Sequence, residues 1–271
     1  MKKFLSIALA LMLLVSACVL TSCDEMTAYE LVHSALAKME TLDSFEADVK
    51  MSMKMSMDME GLSQTMDIPL NMAIKASGLK SETPLTSGTM SMTMMGMETK
   101  ADIYSDSKDV YVATTVMNQT IKAKMAVDSA EAEEYDLTDT TSSFMVEIPE
   151  ESLKDVAIVE SEDGTKSIEV ALDPAVFAEN YSELIEQVND SSAGGEVDNI
   201  TLSNIKVKVV VSADGYIAGY YLEFTMDMDV TTAGVSVATS TVVSASVEYK
   251  NPGTPVTVDV PTDLDSYKGI G

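Results

Sequence analysis

From Ser44 to Glu60 the chain alternates without a fault between apolar and polar residues. Phe45, Ala47, Val49, Met51, Met53, Met55, Met57 and Met59 fall on one side. Ser44, Glu46, Asp48, Lys50, Ser52, Lys54, Ser56, Asp58 and Glu60 fall on the other. Successive side chains of a strand point to opposite faces, so a strict period of two over this length predicts a strand and excludes a helix. At about 3.3 Å per residue the strand would reach roughly 50 Å, far beyond the usual 5–6 residues. One face must be buried and the other solvated, as in antiparallel sheets. A face that long needs a cover, and this need constrains the fold more than any other feature.

The pattern recurs along the chain. Met66, Ile68, Leu70, Met72, Ile74 and Ala76 make a second apolar face. Met90, Met92 and Met94 begin a third, whose phase slips at Met94-Met95 and resumes at Met97, Ala101 and Ile103. A one-residue slip beside Gly96 reads as a β-bulge. Val110–Met117 and Ile121–Val127 read as shorter strands turning at Asn118-Gln119. Asp163-Gly164 marks a hairpin between Val156–Val159 and Ile168–Leu172. Three long strands follow. One carries Ile205, Val207, Val209 and Val211, the next Tyr220 to Val230 after the Ala213–Tyr216 turn. The last carries Val235, Val237, Val243, Ala245, Val247 and Tyr249. Pro252-Gly253 then breaks the chain before a short Val256-Val258-Val260 segment.

Two stretches keep a helical period instead. Thr27–Leu42 places Leu31, Val32, Ala35, Leu36, Met39 and Leu42 on one face, with His33 on the solvated side. Asp173-Pro174 is an N-cap followed by Pro at the first helical position. The helix it starts extends to about Asn189, with Phe177, Tyr181, Leu184, Ile185 and Val188 on one stripe. Ala193-Gly194-Gly195 ends it. Residues 128–155 are acidic and irregular, through Glu131, Glu133, Glu134, Asp136 and Asp139, and read as a loop or short helix. No long linker divides these parts and no sequence repeat joins them, so they make one domain.

Composition excludes several functions. The 17 basic residues are all Lys, against 44 acidic ones, for a net charge of −27. Such a chain repels phosphate backbones, and without Arg it has no bidentate fork for phosphate, so nucleic acid is not an expected partner. His33 is the sole imidazole, and Cys18 and Cys23 are the two thiols, both near the N-terminus. That inventory leaves no Cys/His zinc set and no Ser-His-Asp or Cys-His machinery. No spacing singles out a catalytic pair of carboxylates, so the chain does not read as an enzyme, and no cofactor is implied. Glu160–Gly164 lacks the spacing of a calcium loop, and its turn role explains Asp163-Gly164. The acidic residues read as a solvated shell.

The first residues read as an address. Met1-Lys2-Lys3 precedes an apolar run from Phe4 to Leu20, and the chain turns polar at Thr21. This is the layout of a secretory leader, too short for a membrane span. Leu20-Thr21-Ser22-Cys23 resembles a bacterial lipobox, whose Cys is acylated and becomes the first mature residue. Val15-Ser16-Ala17-Cys18 also fits, but Asp24-Glu25 begins the polar chain directly after Cys23. The reading is a leader at 1–22 and a domain at 23–271, tethered to the bilayer by a diacylglyceryl group on Cys23, with Cys18 as the alternative. The mature chain would then hold 15 lysines against 44 acids, −29, and no disulfide.

The lipobox, the helix ending in Leu42-Asp43-Ser44-Phe45, the long one-faced strands and the Pro252–Val256 and Val258–Pro261 tail together resemble the LolA/LppX-like lipoprotein superfamily. In particular they are similar to its uncharacterised surface lipoproteins of single-membrane bacteria. The resemblance spans nearly all of 27–262 and rests on layout rather than on a catalytic signature. It implies a mainly β fold with some α, a curved antiparallel half-barrel sheet wrapping one or two helices. It also implies that acyl chains bind between sheet and helices, though no ligand residue carries over, because such a lining is not a motif.

Methionine is the compositional oddity. Twelve of 21 lie between Met51 and Met97, mostly two residues apart. They read either as soft core filling or as a deformable lining for a lipid or other apolar ligand. Candidate lining residues are Met51, Met53, Met55, Met57, Met66, Met72, Met90, Met92, Phe224 and Met226. A thioether site for Cu(I) fits less well, because same-face residues sit about 6.6 Å apart along a strand. The expected function is therefore non-catalytic: an extracytoplasmic lipoprotein that binds an apolar ligand. The alternative is a structural adaptor with a filled core that meets a protein partner.

Overall fold

A computed structural model describes residues 26–59, 62–129, 132, 135, 137–138, 145, 148–180, 196–232 and 235–269. The leader, Cys18 and Cys23, the acidic Glu131, Glu133, Glu134, Asp136 and Asp139, and the expected continuation of the second helix beyond Asn180 lie outside the described residues.

Helix α1 (Ala28–Met39) opens on a capping box. The Thr27 hydroxyl accepts from the Glu30 backbone N–H at 3.2 Å, and the Glu30 carboxylate accepts from the Thr27 N–H at 2.9 Å. Ala28, Leu31, Val32 and Ala35 form its buried stripe, while Leu36 on the same expected face is exposed. His33 is exposed and stacks on Tyr29 at 5.7 Å between ring centroids.

The chain then enters the long strands: β1 (Ser44–Met59), β2 (Leu62–Ser77), β3 (Leu85–Met94), β4 (Met97–Ser105), β5 (Asp109–Val116) and β6 (Gln119–Ala126). Helix α2 (Glu150–Leu153), the short β7 (Val159–Glu160), β8 (Lys166–Ala171) and helix α3 (Pro174–Asn180) follow. Strands β9 (Glu196–Val211), β10 (Ile217–Thr232) and β11 (Val235–Tyr249) come next, and β12 (Lys268–Gly269) ends the described chain. All twelve form one open, curved sheet in the order β12-β6-β5-β4-β3-β2-β1-β11-β10-β9-β8-β7. Its pairs are antiparallel except β12 with β6. The mainly β fold expected from the alternation, and the curved half-barrel sheet that the family resemblance implies, are observed.

The structure corrects some local readings. The phase slip at Met94-Met95 is a two-residue hairpin turn, not a bulge: Met95 and Gly96 both have left-handed backbones, φ 51° and 77°, and Met94 pairs with Met97. The next hairpin turns one residue earlier than expected, at Met117-Asn118, where φ is again positive at both. The hairpin around Gly164 has a first strand of only Val159–Glu160. Strand β9 begins well before Ile205. The Val256–Val260 segment is not a strand. It lies between Pro255 and Pro261, neither of which can donate to a ladder, and it docks by a Val256 N–H to Ser44 Oγ bond of 3.0 Å and by burying Val258 against Tyr104 and Tyr111.

Two apolar clusters lie on one face of the sheet. The first joins α1, α2 and α3 to β8, β9 and β10, with Leu31, Leu153, Phe177, Ile168, Val207 and Leu222 among its buried members. In it the ring of Phe177 sits 5.2 Å from that of Phe224. The second joins β1, β2, β4 and β5 through Phe45, Val49, Ile74, Ile103 and Val112, under Ala132 and Leu137. Leu137 rests on the sheet at Gly88, where a Cβ would come within 2.8 Å of its side chain.

Candidate functional site: a methionine-rich sheet face

Antiparallel register turns the sequence alternation into cross-strand ladders. One ladder on the apolar face runs Met92–Leu70–Met51–Ala245–Leu222–Val207–Val170. Another runs Met90–Met72–Val49–Val247–Tyr220–Val209–Ile168. Further along the strands, Ile68–Met53–Val243–Phe224 and Met66–Met55–Thr241–Met226–Leu202 face the same way. Met57 opposes Thr239 and Met228. The fold thus brings every one of the ten candidate lining residues onto a single surface.

Burial divides that surface. Under the helices the ladders end in fixed-shape side chains with almost no exposure, such as Val207 at 0% and Ile168 at 1%. Toward β1, β2 and β3 the same ladders become methionine, and Met51, Met53, Met55, Met57, Met66, Met90 and Met92 are each half-buried, as are Leu70 and Ile68. Met226 is half-buried too. Met72 and Phe224 differ: both are buried, Met72 in the second cluster and Phe224 beneath Phe177 in the first. They form the edge of the open surface rather than its middle.

Two hydroxyls interrupt this face. Thr239 and Thr241 keep the inward phase of β11 where their neighbours in that phase are Val237 and Val243, and both are buried. Thr241 Oγ lies directly between Met55 and Met226 in register and has no hydrogen-bond partner among the described residues. A buried hydroxyl without a partner costs about 1–3 kcal/mol, so its retention here is notable. The sequence carried the signal, since positions 239 and 241 share the phase of Val243, but a polar residue in an apolar ladder is easily read as an interruption.

The opposite face is the charged one, and ion pairs link neighbouring strands across it. Lys250 reaches Asp48 at 2.9 Å and Glu46 at 3.2 Å, tying the end of β11 to β1. The hydrogen bond to Asp48, then that to Glu46, raises the Lys250 pKa above the ordinary lysine value. Lys124 pairs with Asp109 at 2.8 Å, and Lys122 pairs with Asp263. Among the described residues no group of three or more His, Cys, Asp or Glu could hold a metal ion, and no helix is long and apolar enough to cross a membrane. The site is therefore an extended, partly exposed apolar surface backed by a charged face.

A family model described as a family of unknown function (DUF6612) matches residues 27–266. No curated protein matches the chain. Among solved structures it is similar to a DUF1329 family protein from Desulfovibrio piger, at 10% identity, with 83% of this chain and 91% of that one covered and a TM-score of 0.22. It is also similar to a LolA superfamily protein from Nitrosomonas europaea, at 11% identity, with 88% and 96% covered and a TM-score of 0.19. A third is a beta-barrel-like protein of a domain of unknown function, DUF1849, from Brucella abortus, at 11% identity, with 76% and 99% covered and a TM-score of 0.18. The LolA superfamily, to which the sequence layout pointed, is among them.

Proposed function

We propose that this chain, which belongs to the family of unknown function DUF6612, is a non-catalytic, lipid-tethered extracytoplasmic protein that holds an acyl chain or another apolar molecule against its methionine face. In this reading residues 1–22 are a leader, 23–271 form one domain, and Cys23 carries the diacylglyceryl anchor, with Cys18 as the alternative.

One observation carries the binding role. The apolar face passes from closely buried side chains under the helices to a half-buried surface rich in Met, with Ile68, Leu70 and Val243 among its members. Covering about 200 Å² of such surface would contribute roughly 5 kcal/mol before the cost of ordering a ligand. Unbranched thioether side chains re-pack around chains of different shape more readily than β-branched ones. The Thr241 hydroxyl, buried between Met55 and Met226, becomes a polar contact for an ester or carboxyl group once those flexible side chains re-pack around an acyl chain.

The test is mass spectrometry of the full-length protein extracted natively from membrane. A co-purifying acyl-bearing molecule, lost when Met53 and Met55 are both replaced by Glu, is the expected result. Repeated extraction with no apolar molecule bound would overturn the binding role. Cys23→Ala should release the protein from the membrane; retention would move the anchor to Cys18.

A specific observation favours a second reading, an adaptor that docks a protein partner. Met94, Met95 and Met97 at one hairpin end, and Met117 and Ile121 at the next, are exposed. Replacing Met95 and Met117 by Ser would abolish a partner contact there and leave acyl binding on the sheet face unchanged.

A further inference from the structure

The charged face of the sheet carries a hollow of about 520 Å³ across β2, β1, β11, β10, β9 and β8, opposite the methionine ladders, with Met51 shared between the two linings. That volume falls in the range of small-ligand sites, about 300–1,000 Å³. Its middle is made shallow-floored by small hydroxyl residues, Ser52 on β1 opposite Ser244 on β11, with Ser246 opposite Lys50.

Beside the serines lies Tyr221. It opposes Ser246 on one side and Lys208 on the other. Its ring lies down along β10 over Gly219, where a Cβ would come within 2.9 Å of ring carbon Cε2. Glycine at 219 is therefore what lets the ring lie flat, leaving its other side to the hollow. The phenol donates to Glu248 Oε1 at 3.2 Å. Burial, then the Glu248 charge, raises its pKa, so the ring stays neutral.

Three lysines stand around this floor: Lys50 from β1, and Lys206 and Lys208 from β9. Lys50 and Lys208 lie three strands apart, about 14 Å at the usual strand spacing. Of the fifteen described lysines six are ion-paired and nine, Lys50 and Lys208 among them, are not. Lys75, Lys100, Lys122, Lys124 and Lys250 are all ion-paired. Lys50 and Lys208 form no ion pair among the described residues, although Lys208 stands 5.9 Å over the Tyr221 ring. Lys206 meets Glu223 at a loose 3.9 Å. Glu169 and Glu223 are the two acids of the lining, so three lysines leave it at +1 on a chain of −27.

We propose that this hollow is a binding site for an acidic saccharide, a sugar ring bearing one carboxylate among hydroxyls. Each part has a partner of matching chemistry. The flat tyrosine takes the apolar side of a sugar ring. The serines and the two glutamates exchange hydrogen bonds with ring hydroxyls, which a carboxylate accepts well. Lys50 and Lys208, standing apart across the floor, each take the carboxylate of one ring of an acidic disaccharide. A dianionic phosphate fits worse, because it sets two charges on one group facing Glu169 and Glu223. The span between Lys50 and Lys208 leaves room for a disaccharide. The site is independent of the acyl-binding role, since it occupies the other face of the sheet.

Ligand-observed NMR titration of the full-length chain in detergent micelles tests this, with digalacturonate and neutral galactobiose as probes. Digalacturonate should saturate the protein at millimolar concentration or below, and galactobiose should bind at least ten-fold more weakly. Substituting both lysines, K50Q with K208Q, should erase that difference, weakening digalacturonate ten-fold or more and sparing galactobiose. Gly219→Val, which pushes the ring up, should weaken both sugars. Added palmitate should displace neither. Equal affinity for the two sugars, no saturation by digalacturonate at 20 mM, or displacement by palmitate would each overturn the assignment.

Discussion

Strand β1 is continuous over 16 residues, yet its two halves live in different surroundings. Phe45, Ala47 and Val49 are buried against Ile74, Ala76 and Val247. Met51, Met53, Met55 and Met57, pointing the same way from the same strand, are half-buried. Strand β2 repeats the division, with Met72, Ile74 and Ala76 buried and Leu70, Ile68 and Met66 half-buried. The first half is a core of the ordinary kind, where shape is fixed and branched or aromatic side chains pack once. The second is apolar without being fully covered. Its side chains are those that lose least definition when neighbours change, because the methionine thioether is unbranched and polarizable. In β1 residue type follows the cover, while in β2 the uncovered half keeps Leu70 and Ile68 beside Met66 and the covered half keeps Met72.

That contrast can be broken from either end. The largest effect belongs to the fixed end: Phe177→Ala, removing a fully buried ring that packs on Phe224, should cost about 3–5 kcal/mol in denaturant unfolding. At the adaptable end Met53→Ala should cost only about 1–2 kcal/mol, because its side chain is only partly buried, while lowering affinity for a fluorescent fatty acid several-fold. Met53→Leu should change neither by much. Equal stability losses at Phe177 and Met53 would erase the distinction.

Thr241→Val sharpens it further. Replacing an unpartnered buried hydroxyl by a methyl of the same shape should stabilise the ligand-free protein by about 1 kcal/mol and weaken binding of fatty acids more than of alkanes. The smallest effect concerns α1, which covers the fixed end. Its capping hydrogen bonds, from the Thr27 backbone and then from the Thr27 hydroxyl, hold the Glu30 pKa below 4.5. A folded pKa below the unfolded one contributes stability that is present above about pH 4.5 and lost as pH falls through the folded value. The stability gap between wild type and Glu30→Gln should therefore be full at neutral pH and close on acidification.

The sheet was legible because alternation is a backbone property read directly from residue order. The Ser44–Glu60 pattern gave β1 to within one residue, Ser44–Met59, and fixed which face would be buried. The turns were less so. Met95-Gly96 and Met117-Asn118 place methionine in a left-handed backbone, which no propensity favours, so a hairpin looked like a slip of phase in one case and lay one residue off in the other. The methionine face was visible as a set of ten residues, but its division into covered and uncovered parts depends on where α1, α2, α3 and Leu137 dock, and no local signal holds that. Thr241 escaped because phase, not polarity, decided its direction. The hollow on the charged face escaped because Lys50, Tyr221 and Lys208 meet only through the register of β1, β11, β10 and β9.

The central claim is that the methionine half of the sheet is a binding surface and the helix-packed half is not. Side-chain methyl NMR of the full-length protein in micelles, with methionine and valine methyls labelled and palmitate titrated in, tests it most directly. The account predicts saturable shifts at Met51, Met53, Met55, Met66 and Met92, with Val207 and Val209 unmoved. Shifts spread evenly over both halves, or none at the methionines, would contradict it.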